Sequence, residues 1–263
     1  MNNEIDFIRR FGGVSRLYGD AGLSKLKNAH ILVIGIGGVG SWAVEALARN
    51  AIGQLTLIDL DNVAESNVNR QIQALDDNFG LAKVTAMHRR ILQINPTCIV
   101  HEVEDFITPD NVQMILDAQY NIILDCTDDA KAKVALATFC REKNIPLLTS
   151  GSAGGRLDPT RLQVDDLAFV TGDKLLAKVR NQLRRNHGFP KAHDAKSSVK
   201  KKQLIFGVTC VFSDESTIKP EQLCETDTTR LTGLNCAGYG SSVNVTATFG
   251  FAMAQLAINQ LLA

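Results

Sequence analysis

A chain of 263 residues, 45% hydrophobic and 21% charged, carries enough apolar material for a sizeable core and has the composition of a soluble globular protein. Lysine plus arginine balances aspartate plus glutamate at 28 each, so net charge selects no class of partner. The six cysteines (98, 126, 140, 210, 224 and 236) form no CxxC pair; that argues against a structural zinc site and fits a reducing, cytoplasmic setting.

The first ten residues, MNNEIDFIRR, contain no apolar core of a secretory signal. Strand and helix patterns then alternate up to residue 150. Apolar runs at 30–35, 54–59, 98–103, 121–126 and 145–150 predict buried parallel strands. Helical patterns at 40–50, 81–94, 109–118 and 129–143 lie between them, with Thr108-Pro109 expected to open the third as N-cap and N1. This βαβ series predicts an α/β fold with a Rossmann-like, doubly wound, mostly parallel sheet.

Beyond residue 150 the pattern changes. Gly151–Gly155 reads as a flexible turn, 162–170 and 203–212 as strands, 173–186 as a basic helix and 187–203 as a loop. The last twenty residues are apolar, but Asn244, Gln255, Asn259 and Gln260 interrupt them. A buried or dimer-facing helix is expected there rather than a membrane span. The chain is expected to form one domain, with a nucleotide-binding half (1–150) and a substrate-facing half (151–263).

Gly35, Gly37 and Gly40 satisfy GxGxxG between a strand and a helix. Glycine permits positive φ and close backbone approach, and the helix N-terminus offers free N–H groups to phosphate. Gly38 and Val39 complete the turn, and Asp59, ending the next strand, is placed for ribose hydroxyls. Dehydrogenases and ATP users share these features, so the turn alone leaves both open.

The segment Asp59-Leu-Asp61-Asn-Val-Ala-Glu-Ser66-Asn67-Val-Asn69-Arg70-Gln71 distinguishes them. It resembles the DxDxVxxSNLNRQ signature of the E1-like, ThiF-type adenylating superfamily, which includes ubiquitin-activating enzymes and their bacterial relatives. Gly80-Leu-Ala-Lys83, Ile94-Asn95-Pro96 and Asp125-Cys-Thr-Asp128-Asp129 resemble further family elements, in order. The resemblance implies that ATP and Mg²⁺ are used; bacterial members of the family commonly hold zinc with two CxxC pairs, and because this chain has none, no zinc is expected. It assigns phosphate contacts to residues 37–40 and Asn67, cationic stabilisation of the leaving group to Arg70 and Lys83, and Mg²⁺ or substrate orientation to Asp128. Arg16, in Arg16-Leu-Tyr18-Gly19, resembles the family's N-terminal arginine that reaches a partner subunit's phosphates, which implies a homodimer. Taken residue by residue, other roles stay open: Asp59 as a loop cap, Arg70 and Lys83 as solvated charges, Asp128-Asp129 as an N-cap pair.

Segment 174–202 carries ten cations against the single acid Asp194. Such a run is the footprint of a phosphate backbone, or else a solvated helix and loop. Lys178, Arg184, Arg185, Lys200, Lys201 and Lys202 are the candidate RNA contacts. The stretches 10–19, 35–49, 108–111, 150–168 and 245–251 are similar to the bacterial branch of the family that acts on tRNA carrying threonylcarbamoyladenosine. That resemblance implies ATP-dependent dehydration of the modified base. It also leaves room for a cysteine desulfurase or sulfur-acceptor partner. Adenylation of a ubiquitin-like sulfur carrier is the alternative, with the missing CxxC pairs and the basic segment against it. Cys224 and Cys236 lack a cue for thiol activation and read as inert.

Overall fold

The computed structural model describes residues 6–116, 119–191, 204–218 and 239–263. Helix α1 (Phe7–Lys27) starts where Asp6 accepts a hydrogen bond from the Arg9 amide at 2.8 Å. It is bent at Gly19, whose φ of 75° and ψ of 166° are non-helical. Sequence pattern did not predict this helix. Gly12, Gly13 and Gly19 dilute its periodicity, and Phe11, Leu23 and Leu26 bury it against the rest of the molecule.

The sheet follows as expected, its first five strands each a residue or two shorter than the apolar run. Its strands are β1 (His30–Ile34), β2 (Gln54–Ile58), β3 (Ile99–Val103), β4 (Ile122–Asp125), β5 (Leu147–Ser150), β6 (Leu162–Asp166) and β7 (Val208–Ser213). Their order is β3-β2-β1-β4-β5-β7-β6. All neighbours pair in parallel except β6 and β7. Strands β1, β4 and β5 are buried because both faces are covered, whereas edge strand β3 is largely exposed.

The helices are α2 (Gly40–Arg49), α3 (Lys83–Ile94), α4 (Val112–Ile115), α5 (Ala130–Lys143), α6 (Lys174–Asn186) and α7 (Val243–Leu262). One apolar cluster joins α2, α3 and α7 to one sheet face; a second joins α5 and α6 to the other. Helix α7 is the one helix among the described residues long and apolar enough to cross a membrane. Val245, Phe249, Met253, Ala257 and Ile258 on it are buried in the first cluster.

Three boundaries differ from expectation. The helix predicted over 109–118 shrinks to the single turn of α4. Its opening is delayed because the Asn111 side chain accepts from the Thr108 amide at 2.7 Å, and Thr108 is not its N-cap. The strand predicted over 162–170 ends at Asp166, whose carboxylate accepts from the amides of Ala168, Phe206, Gly207 and Val208. The same contacts, with Gly207 at φ 74°, delay β7 to Val208.

Candidate nucleotide-binding site

Strand order reverses at β1, which pairs with β2 on one side and β4 on the other. The crevice beyond the C-terminal ends of these strands is where doubly wound folds bind ligands. A cavity of about 800 Å³ lies there, lined by the glycine turn, Asp59, Asp61, Arg70, Gln71, Lys83, the 126–129 loop and residues 150–154.

The turn is built for close approach. Gly35 has φ 83°, and its amide donates to Ile58 at 2.9 Å. A Cβ on Gly40 would lie 1.9 Å from the Gly35 carbonyl oxygen, so no side chain fits there. Gly35, Gly37, Gly38 and Val39 line the cavity; Gly40 is the packing glycine beneath it. Helix α2 starts with no side-chain cap, which leaves its first-turn amides without a side-chain acceptor.

Asp59 is buried and grips the turn, accepting from the Ile36 amide at 2.6 Å and the Asp61 amide at 2.9 Å. Burial pushes its carboxyl above the ordinary range, against the opposing pull of Lys83 and the two amides. Lys83 donates to Asp61 at 2.7 Å and stands 3.9 Å from Asp59, so it is an anchored cation rather than a solvated one. Arg70 is fixed by donating to Ser66 and Asn69, while its own carbonyl accepts from Trp42 at 3.0 Å. Both cations therefore stand in the cavity with little freedom left to lose.

The 126–129 loop is set by a buried polar knot. Lys133 donates to Asp125 at 3.1 Å and to Thr149 at 2.9 Å, and Thr149 donates to Asp125 at 2.8 Å. The second Asp125 oxygen accepts from Thr127. Of the Asp128-Asp129 pair, Asp129 caps α5, accepting from the amides of Lys131 and Ala132. Asp128 is exposed and lines the cavity.

Several expected residues fall elsewhere. Asn67 is buried outside the cavity lining, and its side-chain oxygen accepts from the Ala64 amide at 3.2 Å, which staples the loop. Arg16 is exposed on α1 and does not line this chain's cavity. Arg184 is no free surface cation: it donates to the Pro190 carbonyl at 3.1 Å and stacks 5.3 Å from the Phe206 ring centroid. Lys178 and Arg185 are exposed on α6. Lys200, Lys201, Lys202, Cys224 and Cys236 lie outside the described residues.

Sequence reasoning missed Gln71, Phe106, Thr108, Ser150–Gly154, Tyr239 and Thr246 as cavity walls. The glycine-rich run after β5 carried a usable signal, since it follows a strand's C-terminal end on the binding side of the sheet. The others come from connections and from α7, which only tertiary folding brings here.

A doubly wound sheet with an uncapped glycine turn at its switch point, and two anchored cations facing it, defines a nucleotide-binding α/β protein. The chain belongs to the ThiF family, whose model matches residues 13–263. It is 46% identical to tRNA threonylcarbamoyladenosine dehydratase of Escherichia coli, over 97% of this chain and 94% of the relative. The structure of that E. coli dehydratase in complex with ATP superposes with a TM-score of 0.84, over 97% of this chain and 94% of the other. The adenylyltransferase and sulfurtransferase MOCS3 of Drosophila sechellia is 37% identical, but over only 52% of this chain and 30% of its own length.

Proposed function

We propose that this protein uses ATP to dehydrate N6-threonylcarbamoyladenosine at position 37 of tRNA to its cyclic form. The observation that carries the reading is similarity over nearly the whole chain to a dehydratase whose structure binds ATP, together with a cavity here that has the parts ATP needs. The MOCS3 match stops at about half of this chain, which disfavours adenylation of a sulfur-carrier protein.

The chemistry follows from the groups present. A carboxylate is a poor electrophile because oxide is a poor leaving group. Attack of the threonyl carboxylate on the α-phosphate of ATP forms an acyl–phosphate bond and expels pyrophosphate. The glycine turn's amides and the cations of Arg70 and Lys83 would balance the charge that builds on the phosphates. The carbamoyl oxygen then attacks the activated carbonyl carbon, closing a five-membered ring and releasing AMP. That step is intramolecular, so it calls for orientation more than for an enzymic nucleophile. The thiols of buried Cys98 and Cys140 and of half-buried Cys126 are all raised, and they supply none.

Mg²⁺ fits the donor set. This ion takes one or two carboxylates and completes its shell with water and phosphate oxygens. Asp128 would hold it at the cavity, and no larger metal-binding cluster occurs among the described residues. Bound there, it would neutralise phosphate charge. The exposed cations of α6 would meet the tRNA backbone, and Arg16 would reach the cavity of a second copy in a homodimer.

The test is mass spectrometry of nucleosides from tRNA carrying threonylcarbamoyladenosine, after incubation with the protein and Mg-ATP. The modified nucleoside should lose one water, and the Lys83→Ala variant should abolish the loss. An unchanged nucleoside, with ATP turned over on adding a sulfur-carrier protein, would replace this reading with its alternative.

A further inference from the structure

The Ser150–Gly154 wall of the cavity and the basic helix α6 share one carboxylate. Asp173 is buried and caps α6, one of its oxygens accepting from the Leu176 amide at 2.9 Å. Its other oxygen accepts from the Ser152 amide at 2.8 Å. The adjoining Gly151 amide donates to Val211 of β7 at 2.8 Å, so the wall hangs between the sheet and the start of α6. Gly151 is required by this arrangement: a Cβ there would lie 2.4 Å from the same Asp173 oxygen. Beneath the wall lies Arg156, its side chain 1% exposed, with one terminal nitrogen 4.0 Å from Asp173 and 3.4 Å from the Gly172 carbonyl oxygen. Its Nε and Nη1 have no hydrogen-bond partner among the described residues. The carboxylate charge is therefore the chief compensation for a buried guanidinium as well as a double acceptor.

We infer that Asp173 is a positioning residue: it sets the Ser150–Gly154 backbone, the wall facing the acceptor nucleoside, through the N-cap of the helix that meets tRNA. This rests on the dehydratase reading. The residues proposed to hold the ATP phosphates belong to the β1 and β2 connections and the start of α3, and none of them is a hydrogen-bond or ion-pair partner of Asp173, whose side chain meets Ser152, Leu176 and Arg156. Loss of the tie should thus disturb the acceptor and spare ATP. An ordinary capping residue needs one acceptor oxygen, so serine would serve α6 equally well. Only a carboxylate can accept from both elements while facing Arg156 with negative charge.

The experiment compares Asp173→Ser, which keeps a cap for α6 but loses the reach to Ser152, with Gly151→Ala, which presses on the carboxylate and leaves every charge in place. Hydrogen exchange is read over 150–154 and over α6, ATP affinity by titration, and nucleoside dehydration by kcat and KM. Exchange over 150–154 should rise while α6 stays protected. The kcat should fall on the order of 100-fold, the cost of displacing a reacting group by about 1 Å, with ATP affinity unchanged within about twofold. If Asp173→Ser does not fold, Gly151→Ala decides alone. Unchanged exchange over 150–154 in the folded variants, or an unchanged kcat, overturns the inference. So does ATP affinity falling in step with kcat. Should the unaltered protein leave the nucleoside unchanged, the dehydratase reading fails, and the exchange measurement still decides whether Asp173 ties the two elements.

Discussion

Each of the site's charged groups is positioned by something less conspicuous behind it. The buried pair of Asp125 and Lys133, each at most 1% exposed in its side chain, is the clearest case. Removing one partner strands the other as an uncompensated charge in a dry interior, at a cost of about 3–5 kcal/mol. Lys133→Met should lower unfolding free energy in urea by that amount. It should also loosen the 126–129 loop, because Asp125 would lose the cation that ties it to α5 and keep only its hydroxyl partners Thr149 and Thr127. Burial acts on the thiols as well, pushing Cys98, Cys126 and Cys140 up to about 12 from an ordinary value near 9. The native protein should therefore resist iodoacetamide at the buried Cys98 and Cys140 at pH 8, read by peptide mass spectrometry, and react there once unfolded. The sign of the linkage follows. A thiol raised on folding contributes stability that is fully present below about pH 9 and is lost as pH climbs toward 12, where the unfolded chain ionises first. None of these pairings was legible in the sequence: Asp125 and Lys133 stand eight residues apart across a strand end and a cap, and only the packing of α5 on the sheet brings them together.

At the scale of elements, the strands β1, β2, β4 and β5 were legible because continuous apolar runs suit a sheet covered on both faces. The glycine turn and the cations Arg70 and Lys83 were legible because their spacing is tied to one chemistry. Helix α1 and the one-turn α4 were not, since side-chain bonds and glycines set their limits more than periodicity does. Helix α6 shows how a charge run divides once it folds. Leu175, Leu176, Val179 and Leu183 form its buried stripe. Arg180 and Arg184 flank that stripe and donate to carbonyls of Val170, Ala168 and Pro190. Lys178 and Arg185 lie farther round, in solvent. The two classes should separate on mutation. The Lys178→Ala, Arg185→Ala double variant should weaken tRNA binding uniformly across tRNAs and lower the salt slope of log K by about one per cation removed. Arg184→Ala should instead lower thermal stability, through its lost carbonyl bonds and its contact with Phe206. Equal salt slopes for the double variant and the unaltered protein would remove α6 from the proposed RNA surface.

For the whole molecule, the placement of Arg16 is the feature that one chain does not account for. It stands exposed on α1, apart from the cavity lined by Arg70 and Lys83 of the same chain. A homodimer in which each Arg16 serves its neighbour's cavity gives the residue a role, and isologous pairing makes the exchange reciprocal. Subunit mixing tests this without a structure of the dimer. Arg16→Ala and Lys83→Ala homodimers should each be nearly inactive, since every site lacks one cation. After mixing, dissociation and reassembly, half of the dimers would be mixed. Each mixed dimer would contain one cavity with Lys83 from one chain and Arg16 from the other. Activity should then return to about a quarter of that of the unaltered protein, the fraction of intact sites that reciprocal pairing allows. If Arg16 acted on its own chain's cavity, every site in the mixture would still carry one defect, and nucleoside dehydration would stay at the level of the two parents.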